Sequence, residues 1–185
     1  MTQTQISALR PVLTLPVSDR DHIQGPPTAT VTLVEYGDYQ CPYCLQAYPI
    51  MIDIQEHMGD RMRLVFRNFP LTNSHPDAQN AAEAAEAAGA QGKFWEMHDY
   101  LFEHQSRLDD VALLEYASDI GLDLPRFMRD LETHAFAPRV HEDFLSGVRS
   151  GVNGTPTFFI NGVRHDGPWD LETLTTEILA AAGEQ

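Results

Sequence analysis

Cysteine is scarce in this sequence, with Cys41 and Cys44 the only two among 185 residues. Two cysteines cannot build a disulfide framework, and a closed structural zinc site takes four ligands. The histidines that could complete a zinc site show no compact spacing on one predicted helix. We therefore expect no bound metal.

Basic residues are also few, since 12 Lys and Arg stand against 27 Asp and Glu and give a net charge of −15. Nucleic acids and anionic membranes are bound by basic surfaces, so we expect neither as a partner. No apolar run is long enough to span a bilayer. Residues 1–10 lack the basic start and apolar block of a secretory signal, so we expect a cytoplasmic protein.

The most informative stretch that is present is the motif Cys41-Pro42-Tyr43-Cys44. It follows an extended, β-branched run at 30–36 and precedes a helical pattern, which is typical of a redox dithiol. Two intervening residues let the sulfurs meet within one helical turn. The partial positive charge of a helix N-terminus stabilises a thiolate, which is the nucleophile in thiol–disulfide exchange.

Elements around the motif predict two halves of one sheet. A strand at 30–36, a helix at 42–58 and a strand at 62–67 form a right-handed βαβ unit with parallel strands. Near the other end, Asn161-Gly162 between extended segments predicts a type I′ hairpin. Asp170 is positioned to cap a final helix.

Between these halves, the sequence predicts helices almost throughout, with Asp109 or Asp110 and then Asp123 as helix caps. Aromatic and methionine stripes on these helices, including Met128 and Val148, are expected to be core. We predict one domain over 1–185. Its parts are an N-terminal arm at 1–28 with a short edge strand at 10–15, a core at 29–69 and 150–183, and a helical insert at 70–149.

Three segments together resemble the thioredoxin superfamily, and within it the DsbA-like branch. They are the strand and motif at 34–44, the segment Gly151 to Gly162, and the stretch Gln91 to His98 in the insert. The resemblance implies an α/β thioredoxin fold, with a central mixed sheet and a helical insertion between its βαβ and ββα halves.

The resemblance also implies roles for individual residues. Cys41 would be the exposed attacking thiol and Cys44 the buried resolving thiol. Pro156 would be cis and face the dithiol, with Thr155 offering its backbone to an extended substrate segment. Glu35 falls where relatives place a buried acid under the dithiol. The alternatives are an ordinary trans Pro156 at a strand start and a solvated Glu35.

The residues near the thiols leave further alternatives open. Pro42 suits the first turn of a helix, where its missing N–H has no partner. Pro42-Tyr43 is the dipeptide of glutaredoxins, whereas the periplasmic oxidants of the family have Pro-His. Tyr43 is expected either to tune the environment of Cys41 or to be a surface aromatic only. Asp38 is expected either to be only a loop acid or, if close to the thiols, to oppose thiolate formation.

Together these observations predict an enzyme, a thiol–disulfide oxidoreductase that exchanges disulfides with protein or peptide substrates. Its reactive group is its own dithiol, so no metal, nucleotide or flavin is expected. Glutathione or a thioredoxin-type protein are the candidate recycling partners, and we expect a monomer. The direction of electron flow stays open. The alternatives are a glutathione-linked, glutaredoxin-like reductase and a non-catalytic peptide-binding or chaperone module.

Overall fold

A mixed five-stranded sheet lies at the centre of the computed structural model, which describes residues 10–183. Its strand order is β1-β3-β2-β4-β5. The strands are β1 (His22–Gln24), β2 (Val31–Gly37), β3 (Met62–Asn68), β4 (Thr157–Ile160) and β5 (Val163–Arg164). The helices are α1 (Pro42–Met58), α2 (Ala78–Gly89), α3 (Phe94–Glu103), α4 (Asp110–Asp119), α5 (Leu124–Glu132), α6 (Ala137–Arg149) and α7 (Leu171–Ala181), and a 3₁₀ turn spans Gly59–Arg61.

Strands β2 and β3 are parallel and are joined through α1, which confirms the predicted βαβ unit. All other pairings in the sheet, β1 with β3, β2 with β4 and β4 with β5, are antiparallel. β2 is buried along almost its whole length because the sheet is covered on both faces, which explains its β-branched, mostly apolar sequence. The predicted α/β fold with a central mixed sheet is confirmed.

The local signals at turns and helix ends also hold. Asn161 and Gly162 both have positive φ, at 47° and 81°, as a type I′ turn requires. Asp109, Asp123 and Asp170 each accept a hydrogen bond from the amide three residues further on, so each caps its helix. No helix within the described residues is both long and apolar enough to cross a membrane.

The edge strand predicted at 10–15 is wrong. Only an isolated bridge pairs Val12 with Val163 of β5, because Pro11 and Pro16 lack the N–H groups that a ladder needs. The edge strand on the opposite side of the sheet is β1, whose three residues carry no alternating pattern. The first nine residues of the predicted arm lie outside the described residues.

Helices α2–α6 lie between β3 and β4 in the chain. Residues 70–77 form turns rather than helix, with Pro70 and Pro76 among them. Most of the apolar stripes are core, but Met128 and Val148 are 42% and 50% exposed. The adjacent residues Phe127 and Gly147 are buried in their place. The division into arm, core and insert stays a prediction.

Candidate active site

The two cysteines lie at the start of α1. Cys41 is the N-cap residue in extended conformation, with φ −74° and ψ 123°, and Pro42 opens the helix. Cys44 is fully buried one turn on, and its sulfur accepts a hydrogen bond from the Asp38 amide at 3.5 Å. No disulfide joins the two sulfurs in this structure.

Cys41 is only 3% exposed, so the prediction of an exposed thiol is wrong. The reason is the loop before β4, which packs against the sulfur. The Thr155 carbonyl oxygen lies 3.4 Å from the sulfur and accepts a hydrogen bond from the protonated thiol. The Thr155–Pro156 peptide bond is cis. The Thr157 hydroxyl donates to the Gly154 carbonyl at 2.7 Å and closes this loop.

The site strongly favours the thiolate of Cys41, whose pKa falls to about 5. The largest cause is a hydrogen bond donated by the Cys44 thiol. Burial opposes the shift, while the side chain of Thr155 and the backbone N–H groups of Cys44 and Tyr43 add to it. These N–H groups belong to the first turn of α1, where no intrahelical acceptor competes for them. The helix N-terminus therefore acts on Cys41 as the sequence suggests.

Cys44 behaves in the opposite way, since its pKa is raised well above the ordinary value. Burial is the largest cause, followed by the hydrogen bond that its thiol donates to Cys41 and by the negative charges of Glu35 and Cys41. The two sulfurs are thus both buried and differ in charge. At neutral pH the arrangement holds one nucleophilic thiolate beside one protonated thiol, the state needed to begin disulfide exchange.

Glu35 of β2 is 3% exposed, so the alternative of a solvated strand residue is wrong. Its pKa is raised to about 8, first by burial and then by the negative charge of Cys41. Gly37, two residues on, has no side chain because Phe66 occupies that space: a Cβ there would lie 2.4 Å from the Phe66 ring. The same Cβ would lie 3.3 Å from a Glu35 carboxylate oxygen.

Tyr43 contacts Cys41 through its backbone, whereas Asp38 acts through both its amide and its carboxylate. The Tyr43 side chain is 59% exposed, and it is the amide of this residue that reaches Cys41. The Asp38 carboxylate is buried and accepts hydrogen bonds at 2.8 Å from the amides of Gln40 and Leu71. His75 Nδ1 lies at the same distance from it. Asp38 therefore shapes the loop that carries its own amide to Cys44.

Two side chains of the helical insert reach this loop, and the sequence analysis missed both. Gln105 Nε2 donates to the carbonyl oxygens of Tyr39 and Cys41, each at 2.9 Å. The Asp77 carboxylate accepts a hydrogen bond from the Gln40 side-chain nitrogen at 2.9 Å, and the Asp77 backbone amide donates to the Gln40 side-chain oxygen at 2.8 Å. No local motif marks such residues, because their partners lie far away in the sequence.

Behind the loop, His98 is buried and its pKa is lowered to about 3, chiefly by burial. Its Nδ1 lies 3.1 Å from the Tyr39 hydroxyl, so the neutral imidazole is held within an aromatic cluster. Across residues 10–183, no group of three or more His, Cys, Asp and Glu side chains is placed to hold a metal ion.

A protein-family model described as Thioredoxin matches residues 18–179. The chain belongs to this family. Among solved structures, a thioredoxin-like oxidoreductase from Silicibacter pomeroyi DSS-3 is 27% identical with a TM-score of 0.79, covering 91% of this chain and 95% of that one. BdbD from Bacillus subtilis has a TM-score of 0.82 at 23% identity, covering 95% and 98%. Wolbachia pipientis alpha-DsbA1 has a TM-score of 0.79 at 23% identity, covering 92% and 94%. The thioredoxin fold of this chain is therefore DsbA-like.

Curated relatives carry a different name. The Na(+)/H(+) antiporter NhaA 1 of Salinispora arenicola is 50% identical over 170 residues, which are 91% of this chain and 26% of that protein. The Na(+)/H(+) antiporter NhaA of Herminiimonas arsenicoxydans is 44% identical over 161 residues, 87% of this chain and 25% of that protein. The chain thus spans about a quarter of the length of the curated relatives it matches.

Proposed function

We propose that this protein is an enzyme that exchanges disulfides with protein or peptide substrates through Cys41 and Cys44. The observation that carries the proposal is the opposed acidity of the two sulfurs. The pKa of Cys41 is lowered to about 5, while that of Cys44, which donates a hydrogen bond to it, is raised. A purely structural thiol pair would have no need of this asymmetry.

The proposed cycle begins when the Cys41 thiolate attacks one sulfur of a substrate disulfide. A Cys41–substrate disulfide forms, and the other substrate sulfur leaves as a thiolate. Cys44 then gives its proton to the Glu35 carboxylate and attacks the Cys41 sulfur, releasing the first substrate sulfur as a second thiolate. Two electrons pass to the substrate, and the protein is left with a Cys41–Cys44 disulfide. The reverse sequence oxidises a substrate dithiol.

Five residues around the dithiol support these steps. Glu35 and the thiols influence each other electrostatically, which fits a proton acceptor whose pKa of about 8 lies close to neutral pH. Thr155, whose carbonyl touches the Cys41 sulfur, and Pro156 would receive an extended substrate segment by strand addition in the proposed cycle. Pro42 and Tyr43 shape the start of α1. No metal or other cofactor takes part in the proposed cycle.

The test is reduction of insulin disulfides with dithiothreitol as the electron source. We expect turnover by the wild type and loss of turnover in Cys41→Ser. Ser106→Ala, a change outside the dithiol, is a control and should keep wild-type turnover. Wild-type turnover no higher than that of Cys41→Ser would remove the proposal.

The same assay, repeated with a glutathione mixed disulfide, separates the rival functions. Faster turnover of the glutathione adduct than of insulin would favour a glutaredoxin-like reductase, and glutathione or a thioredoxin-type protein would then be tested as the recycling partner. Suppression of aggregation that persists in Cys41→Ser, Cys44→Ser without any wild-type turnover would favour a chaperone module. Cytoplasmic location and a monomeric state remain predictions.

A second candidate function rests on the curated relatives, to which this chain is more similar than to the solved structures. Identity of 50% over 91% of the chain favours a role beside a Na(+)/H(+) antiporter. We propose that the dithiol state of this protein alters antiport. The test compares antiport rates of NhaA proteoliposomes with the reduced protein, the oxidised protein and Cys41→Ser, Cys44→Ser. Equal rates in all three would reject this role.

A further inference from the structure

Gln105 lies in the connection between α3 and α4, within the predicted helical insert. Its side-chain nitrogen donates to two carbonyl oxygens of the active-site loop, those of Tyr39 and Cys41, each at 2.9 Å. The two bonds fix the backbone on both sides of Gln40. Gln105 is therefore the point where the helical insert holds the residue that carries the reactive sulfur.

The carbonyl of Cys41 has a second donor, the amide of Leu45 at 3.2 Å, which forms the first backbone hydrogen bond of α1. The same oxygen thus joins the insert to the beginning of the helix. One residue before Cys41, Gln40 forms two hydrogen bonds with Asp77, the residue at the start of α2. The loop before Cys41 is held from two separate points of the insert.

Holding this carbonyl matters because the sulfur depends on its exact neighbours. The thiolate is stabilised by the Cys44 thiol and by the amides of Cys44 and Tyr43, and each of these contacts requires Cys41 to stay at the N-cap. A hydrogen bond weakens steeply when its geometry changes. A small rotation of the Cys41 backbone would therefore weaken several contacts together.

We propose that Gln105 is a positioning residue, whose side-chain amide holds the Cys41 backbone so that the sulfur remains at the N-terminus of α1. This inference rests on the proposed function. It predicts that losing the Gln105 bonds destabilises the thiolate form relative to the disulfide. The Cys41–Cys44 disulfide then becomes a weaker oxidant, because stabilising the thiolate is what favours the reduced state.

The experiment uses Gln105→Met, which keeps the length and volume of the side chain and removes its donor. Gln91→Met is the matched control, since Gln91 also joins two parts of the insert. It donates to the Asp123 carbonyl at 3.4 Å and accepts from the Asp123 amide at 2.8 Å, away from the dithiol. Gln105→Glu is a second variant, whose ionised carboxylate cannot donate to either carbonyl.

Two readouts are measured on each variant: the equilibrium constant with glutathione and the pH midpoint of Cys41 alkylation. For Gln105→Met we expect the equilibrium constant for reduction of the protein by glutathione to fall by about three- to tenfold. This is the size of effect expected when one or two hydrogen bonds are lost. The alkylation midpoint should rise by about half to one pH unit. Gln105→Glu should shift both at least as far, and Gln91→Met should shift neither.

Thermal unfolding distinguishes positioning from a merely structural role. If Gln105→Met unfolds at a lower temperature but keeps the wild-type constant and midpoint, the inference is overturned. The alkylation midpoint needs no substrate, so it is independent of the insulin assay. A shifted midpoint in Gln105→Met with no insulin turnover by the wild type would remove the proposed function and leave the positioning role standing.

Discussion

Two regions of this molecule bury ionisable groups, and they do so in opposite ways. Next to β3 lies a paired cluster, in which Arg67 contacts Asp21 at 2.8 and 3.0 Å, and Asp143 contacts Arg139 and Arg20. At the dithiol, Glu35 forms no ion pair among the described residues, and the pKa values of Glu35 and Cys44 are both raised by burial.

The difference shows what each region is built for. In the paired cluster, burial raises the pKa of Asp21, but the hydrogen bonds and charge of Arg67 outweigh it and leave that pKa lowered, so this pair stays charged and ties the segment before β1 to the sheet. At Asp143, burial still raises the pKa although Arg139 opposes it. At the dithiol, the compensation is incomplete. Glu35 is left with a pKa of about 8, from which a proton can move near neutral pH, as chemistry at the thiols requires.

The sharpest way to test the comparison is to break the paired cluster. Arg67→Met leaves the Asp21 carboxylate buried without its cation, and we expect a loss of about 3–5 kcal/mol in the free energy of unfolding. Urea denaturation measures it. Arg107→Met removes a solvent-exposed ion pair with Glu115 and should change stability little. An equal effect of the two substitutions would contradict the distinction.

The opposite sign is expected at the dithiol. An acid whose folded pKa of about 8 exceeds its ordinary value of 4.5 binds a proton on folding between these pH values. Stability therefore falls as pH rises from 4.5 to 8. Glu35→Gln removes this penalty and should stabilise the reduced protein by roughly 2–4 kcal/mol at pH 8, with little effect near pH 4.

Denaturation of the reduced protein as a function of pH measures this difference. Asp143→Asn is the control in the paired cluster. It removes the negative charge that pairs with Arg139 and Arg20, so it should lower stability. Destabilisation by Glu35→Gln at pH 8 would show that Glu35 is compensated by partners, like the acids of the other region.

The smallest expected effect concerns the two sulfurs. Iodoacetamide trapping of the wild type should give a midpoint near pH 5, where a free cysteine gives about 8.5. Cys44→Ala removes the main hydrogen-bond donor to the thiolate, and the midpoint should rise by about one to two units. A wild-type midpoint near 8.5 would remove the argument for an activated thiol.

Much of this architecture could be predicted because its signals are local. The buried strand before the motif, the helix after it, the Asn161-Gly162 turn and the aspartate caps each depend on a few adjacent residues. The motif itself marks the two sulfurs. These features follow from backbone preferences and helix-end chemistry, which neighbouring residues decide.

What could not be predicted depends on contacts between distant parts of the chain. Gln105 reaches Cys41 only after the insert has folded over the loop, and Arg67 meets Asp21 only when β1 has paired with β3. The prediction that Cys41 is exposed was wrong for the same reason, since Thr155, 114 residues further along the chain, covers its sulfur. Burial of a polar side chain leaves no periodic pattern.

The stretch before β2 has one more consequence. Val12 pairs with Val163 at one margin of the sheet, and His22–Gln24 pairs with β3 at the other, so a single segment covers the edges of β5 and β3 and leaves the three-residue strand β1 at the second margin. Unshielded margins offer free backbone groups on which other chains can polymerise. Deleting residues 1–25 would uncover the edges of β3 and β5 together. We expect the shortened protein to self-associate while Cys41 and Cys44 still react as in the full chain.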